Sequence, residues 1–91
     1  MSTPAPSPRA TRIADLLSVL NPTQFDLRDE SHLHAGHNPD AAHGETHYRL
    51  TICSAQFSGL SRLAQHRRVM DLLQPEFDVG LHALALITKA E

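Results

Sequence analysis

At 91 residues the chain has room for one small core and not for two. Its 41% hydrophobic content excludes wholesale disorder, and only four aromatic residues (Phe25, Tyr48, Phe57, Phe77) leave the core mainly to Leu, Ile and Val. The formal charge of −2 is a poor start for gripping a phosphate backbone, although full protonation of the seven histidines would carry it to +5. A single cysteine, Cys53, excludes an intramolecular disulfide and a closed thiolate zinc cage, and fits a reducing compartment. No apolar run approaches the roughly 20 residues of a bilayer span, and Met1 to Pro8 lacks the apolar stretch of a secretory signal. The expectation is a soluble, cytoplasmic protein with a flexible leader over 1–8 and a single domain over 9–91.

Ser7-Pro8 predicts a helix start, with Ser as cap and Pro at the first helical position. Ile13, Leu16, Leu17 and Leu20 follow at helical spacing. Asn21-Pro22 ends the helix, because the residue before proline is pushed out of the α region. Over Gln24 to Asp29, Phe25 and Leu27 alternate with polar neighbours as in a half-buried strand. Ser31 to Glu45 has no apolar periodicity and contains Gly36, Asn38-Pro39-Asp40 and Gly44, the composition of a long loop. From Thr46 the alternation sharpens: Tyr48, Leu50 and Ile52 face one way and His47, Arg49 and Thr51 the other, which predicts a strand. Ser58-Gly59 breaks it. Leu60 to Leu73 reads as a helix with Leu63, Arg67, Met70 and Leu73 along one side, ended or kinked by Pro75. After a turn at Asp78 and Gly80, Leu81 to Thr88 is a nearly continuous apolar run, the pattern of a strand covered on both faces or central in its sheet. The order α-β-β-α-β is satisfied most economically by a three-stranded sheet with two helices on one face, an α/β (α+β) fold.

Five of the seven histidines, His32, His34, His37, His43 and His47, fall within 16 residues at the loop and its exit. Imidazole suits zinc, copper, iron and nickel, and a loop lets several rings converge. The alternative is a polar loop of solvated histidines, since neither HExxH nor paired cysteines occur. His82 opens the last strand, where a polar residue must find a partner or face water. A long loop and the start of a neighbouring strand can share one end of a sheet, which would bring the two groups together. Cys53 reads as a small structural residue near a strand end.

No nucleophile, base and oxyanion donor assemble, no serine has a nucleophile-elbow context, and Asp29-Glu30 reads as a solvated acidic pair. The chain is therefore expected not to be an enzyme. Arg62, His66, Arg67 and Arg68 lie on the second helix, where they could meet nucleic-acid phosphates. The plainer reading is a solvated face whose arginine stems cover apolar surface. The Gly-x-x-Gly loop that clamps nucleotides in KH domains is absent from the sequence.

Several segments in order resemble the BolA family: Asp29-Glu30-Ser31 with the histidine loop, Gly44-Glu45-Thr46-His47-Tyr48, Phe57-Ser58-Gly59-Leu60, His66-Arg67-Arg68-Val69 and His82-Ala83-Leu84-Ala85-Leu86. The resemblance covers about Ile13 to Thr88 and implies an α-β-β-α-β fold of KH-like type II topology. It also implies a monothiol glutaredoxin as partner and a shared 2Fe-2S cluster, with the partner supplying its cysteine and glutathione. By position the loop ligand falls on His34, with His37 as its alternative, and the second ligand on His82. Gln65 stands where the family usually has arginine in an Arg-His-Arg run.

The first functional expectation is an adaptor for iron-sulfur and iron homeostasis. The second, also found among BolA-like proteins, is a DNA-binding transcriptional regulator of stress response and cell shape, acting through the second helix. A zinc- or copper-binding loop without a partner is a third. The apo protein is expected as a monomer or weak homodimer away from membranes.

Overall fold

The computed structural model describes residues 7–34 and 44–91, with the side chains of residues 33 and 34 outside that description. Ser7 caps the first helix, α1 (Pro8–Leu17), its Oγ accepting from Ala10 N at 3.1 Å, with Pro8 opening the helix. The chain leaves α1 through a 3-10 turn (Ser18–Leu20) and reverses at Asn21, whose φ of 47° is left-handed. β1 (Gln24–Asp29) and β2 (His47–Ser54) are the two strands expected from the alternation, and both pair as an antiparallel ladder from Gln24↔Cys53 to Asp29↔Tyr48. A 3-10 turn (Ala55–Phe57) leads to α2 (Arg62–Leu72), capped by Ser61, and the short α3 (Gln74–Asp78) carries Pro75 in its first turn. β3 (Ala83–Ala90) then pairs parallel with β2 from His47↔Ala83 to Ser54↔Ala90. The strand order is β1-β2-β3.

The helices cover one face of this sheet. Tyr48, Leu50 and Ile52 of β2 meet Ile13, Leu17 and Leu20 from the first helical segment and Val69 and Leu73 from the second, with Phe57 sealing one end. Because the core is this small and closely filled, shaving one methylene from its centre is felt: Ile52→Val is expected to cost about 1 kcal/mol, read from the urea midpoint at unchanged slope.

Three expectations need correcting. The last strand is an edge strand, not a central or doubly covered one: Ala83, Ala85, Ile87 and Lys89 are exposed while Leu84, Leu86 and Thr88 are half-buried. Alanine counts as apolar in a pattern but exposes so little surface that a strand can carry it outward. The buried side of α2 is not the one through Leu63 and Arg67. Leu63 is 61% exposed, and Gln65, Val69 and Leu73 turn inward. Gln65 tolerates burial because its amide donates to the Leu60 carbonyl at 3.0 Å and accepts from Thr88 Oγ1 at 2.7 Å. Finally, the acidic pair at the end of β1 is bonded as well as solvent-facing, Asp29 to backbone amides described below and Glu30 to Arg49 Nε at 3.2 Å.

Among the described residues no helix is long and apolar enough to cross a membrane.

Candidate metal and partner site

The parallel register puts His47, the first residue of β2, beside Ala83, the first of β3, and so places His82 next to His47 at one end of the sheet. Their rings stack with centroids 5.5 Å apart and planes 21° from parallel. His82 is exposed. Its backbone is nevertheless fixed, since its N–H and that of Ala83 both donate to the Thr46 carbonyl, at 2.8 and 3.1 Å. His47 is half-buried, with Nδ1 2.8 Å from Thr46 Oγ1. A groove of about 370 Å³ beside His47 is bordered by Glu30, Arg49, Ala83 and Ala85.

The histidine loop leaves and re-enters the sheet at the same end. It leaves through a 3-10 turn, Ser31–His34, and returns through Gly44 and Glu45. His34 thus ends a turn whose first residue touches the base of β2, while His37 and His43 lie outside the described residues. His32 is exposed. The Asp29 carboxylate accepts from the Ser31 and Glu45 amides, each at 2.9 Å, one on either limb of the loop. Burial pushes the Asp29 carboxyl up, but the hydrogen bonds from Ser31 and Glu45 outweigh it and leave it below its ordinary value. Gly44 is needed here: its φ is +76°, and an added Cβ would lie 3.3 Å from Asp29 Oδ2. Glu45 also has a left-handed φ, +64°, which side-chain-bearing residues adopt only when held. It is held by Asp29 on its amide, by the Arg9 guanidinium on its carbonyl and by the Arg9 amide on its carboxylate.

The donors at this end of the sheet are imidazoles, which suit zinc, copper, iron and nickel. Imidazole is an iron ligand, and two imidazoles on one iron with thiolates on the other is a known 2Fe-2S arrangement. This chain's only thiol, Cys53, sits six residues along β2 from His47, about 20 Å at the rise of a strand, so it cannot serve the same centre. Among the described residues no group of three or more His, Cys, Asp or Glu gathers to hold a metal. Thiolates would have to come from elsewhere.

The basic residues of α2 do not form one patch. Arg62 and the half-buried His66 border a groove with Leu86, Ile87 and Thr88 of β3, whereas Arg67 and Arg68 border another with Leu60, Leu63 and Asp71. Arg62, Arg67 and Arg68 are exposed, and among the described residues none of them forms an ion pair. Gln65, buried and bonded to Leu60 and Thr88, is unavailable to any ligand on that face.

Sequence reasoning missed Asp29, Ser31 and Thr46, which fasten the loop, and the pairing of His47 with His82. The first three are short polar residues whose partners are backbone groups, which leave no periodic trace. The last needed the register of a parallel pair 36 residues apart.

A three-stranded sheet with β1 antiparallel and β3 parallel to a central β2, helices on one face and histidines at one end, defines a small α/β domain of a known kind. The chain belongs to the BolA-like protein family, which matches residues 16–91. It is 47% identical over 72 residues to an uncharacterized protein in the cobS 5' region of Sinorhizobium sp, covering 78% of this chain and 77% of that protein. It is 41% identical over 86 residues to the chloroplastic/mitochondrial SufE-like protein 1 of Arabidopsis thaliana, covering 89% of this chain but only 23% of that longer protein. The structure of the BolA domain of SufE1 from Arabidopsis thaliana superposes with a TM-score of 0.83 at 41% identity, over 94% of this chain and 95% of that one.

Proposed function

We propose that this protein is a non-catalytic cytoplasmic adaptor that docks on a monothiol glutaredoxin and co-ligates a 2Fe-2S cluster through His82 and a loop histidine, His34 or His37. The observation that carries the reading is the position of His82: exposed, fixed through its backbone, and set at the mouth of the histidine loop. When bound there, the cluster supplies one-electron redox capacity and transferable iron and sulfide. The chain's own residues present imidazole nitrogens, hold them at the sheet end and leave room beside Ala83 and Ala85 for the partner's cysteine and its glutathione. Mixing the protein with a monothiol glutaredoxin, glutathione and reconstitution reagents is expected to give a 1:1 complex. Its visible circular dichroism should differ from that of the glutaredoxin homodimer; an unchanged homodimer spectrum counts against the reading.

A second reading, DNA binding through α2, is favoured by one observation: Arg62, Arg67 and Arg68 are exposed and form no ion pair among the described residues. It predicts affinity that falls steeply with salt. Replacing Arg67 and Arg68 by alanine should reduce the log–log salt slope by about 1 per arginine lost, measured by fluorescence anisotropy on a duplex. A slope unchanged by both substitutions removes α2 from the interface.

A further inference from the structure

The antiparallel ladder ends at the pair Asp29↔Tyr48, yet the chain stays fastened beyond it. The Ser31 hydroxyl, with only 1% of the residue exposed, accepts from the Thr46 amide at 2.9 Å and the His47 amide at 3.0 Å. Asp29 holds the Ser31 and Glu45 amides at the same time, and the Glu30 amide donates to the His47 carbonyl at 2.8 Å. The two residues so fastened, Thr46 and His47, are the ones that define His82: the Thr46 carbonyl takes the His82 amide and the His47 ring stacks on the His82 ring. On the other side, Ser31 opens the 3-10 turn that His34 closes, three residues and about 6 Å away along the turn axis. One hydroxyl and one carboxylate therefore stand between the segment that carries the loop histidine and the segment that carries His82.

We propose that Asp29 and Ser31 form a positioning clamp that ties the root of the histidine loop, at Ser31 and Glu45, to the strand end that carries His82, and so decides whether a loop imidazole and His82 ligate the same iron. The proposal rests on the ligation reading above and adds to it two residues that are not among its ligands. A long loop does not need such fastening to close, because closure entropy grows only slowly with length. The left-handed Gly44–Glu45 step shows the loop's return being forced into one path and held there by side chains. Groups that orient metal ligands from behind commonly matter to the metal nearly as much as the ligands do.

The test compares wild type, Ser31→Ala, Ser31→Thr, Asp29→Asn and His82→Ala, each assembled with a monothiol glutaredoxin, glutathione and a 2Fe-2S cluster. Visible circular dichroism and the g-values of the reduced cluster report ligation, and competition with an iron chelator reports retention. Ser31→Ala and Asp29→Asn are expected to keep a cooperative thermal transition, to lose the histidine-ligated signature and to retain the cluster about 10- to 100-fold more weakly. Ser31→Thr, which keeps the hydroxyl, should restore both. Ile52→Val serves as the control for a loss of stability alone and should leave the spectrum unchanged. Wild-type spectra and retention from both clamp variants overturn the proposal. If Ser31→Ala fails to fold, Asp29→Asn, on the exposed side of the clamp, decides alone. His82→Ala separates the two failures: if it removes the signature while the clamp variants keep it, only the clamp is wrong. If it too keeps the signature, the ligation reading is the part that falls.

Discussion

Replacing His82 by alanine is expected to abolish the histidine-ligated cluster spectrum of the glutaredoxin complex while leaving the fold intact. The two halves of that statement come from different atoms of the same residue. The ring is exposed and stacks on the His47 ring, so its removal opens no buried cavity. Substitutions at such positions fall within about 0.5 kcal/mol of neutral. The backbone N–H that registers β3 against Thr46 is untouched by the change. What disappears is the imidazole nitrogen. The variant should therefore melt within a few degrees of wild type and yield either no shared cluster or one with the spectrum of the glutaredoxin homodimer. Parallel His34→Ala and His37→Ala variants assign the loop ligand, since only one of them should reproduce the loss. A His82→Ala complex with the wild-type spectrum would remove this residue from the site.

Glu76→Ala is expected to be the most destabilising change of a charged residue, at about 3 kcal/mol, the low end of what removing one partner from a buried ion pair costs. Glu76 is 4% exposed and accepts from Arg9 Nε at 3.1 Å and from Arg12 Nε at 2.9 Å. Arg9, itself buried, reaches from α1 to the end of α3 and to the loop's return, donating to the carbonyls of Val79 and Glu45. Without the carboxylate that guanidinium remains inside with its Nε unpaired, whereas Arg12, half exposed, can turn to water.

The same carboxylate sets a pH dependence. Hydrogen bonding from Arg12, joined by its charge and by Arg9, outweighs burial and holds Glu76 below its ordinary value of 4.5. With the folded value below the unfolded one, the unfolded chain binds the proton more readily throughout the interval between them. Stability is full above about 4.5 and falls as acid is added through that interval. Asp29, also lowered from 3.8, acts in the same direction. Urea midpoints measured downward from pH 6 should fall below about pH 5, and the fall should be smaller in Glu76→Ala. An equal fall in the variant would assign the acid sensitivity to other groups.

How much of this could be read from the sequence depended on which physical signal each residue leaves. The Tyr48, Leu50, Ile52 alternation and the Ser7-Pro8 cap are local patterns, and the structure has β2 and α1 where those patterns put them. The helix side drawn through Leu63 misled because hydropathy records transfer from water, not the presence of bonding partners. Gln65 found its partners in Leu60 and Thr88, and Leu63 was left outside. The edge position of β3 was hidden by its alanines. Arg9 and Glu76, charged residues 67 apart in the chain, carry no local sign of the buried ion pair that tertiary folding gives them. At the site, the histidine-rich loop and His82 were visible as residue types, but the bonds that hold their backbones come from Asp29, Ser31 and Thr46 and depend on tertiary placement alone.

The parallel pairing of β2 with β3 also has a kinetic consequence. Every rung joins residues 36 apart in sequence, and the β1–β2 rungs join residues 19 to 29 apart, so the sheet contains no short-range hairpin on which to nucleate. Such a topology folds more slowly than a helical bundle of the same length, because closure entropy must be met before any rung rewards it. His82 meets His47 through the longer-range of these two associations, the pairing of β3 with β2. In a newly unfolded chain the seven histidines are seven separate, weak ligands, able to take up loose metal ions indiscriminately. On the function proposed above, competence to share a metal centre would wait until the third strand is in place, and so until the chain's most distant segments find each other.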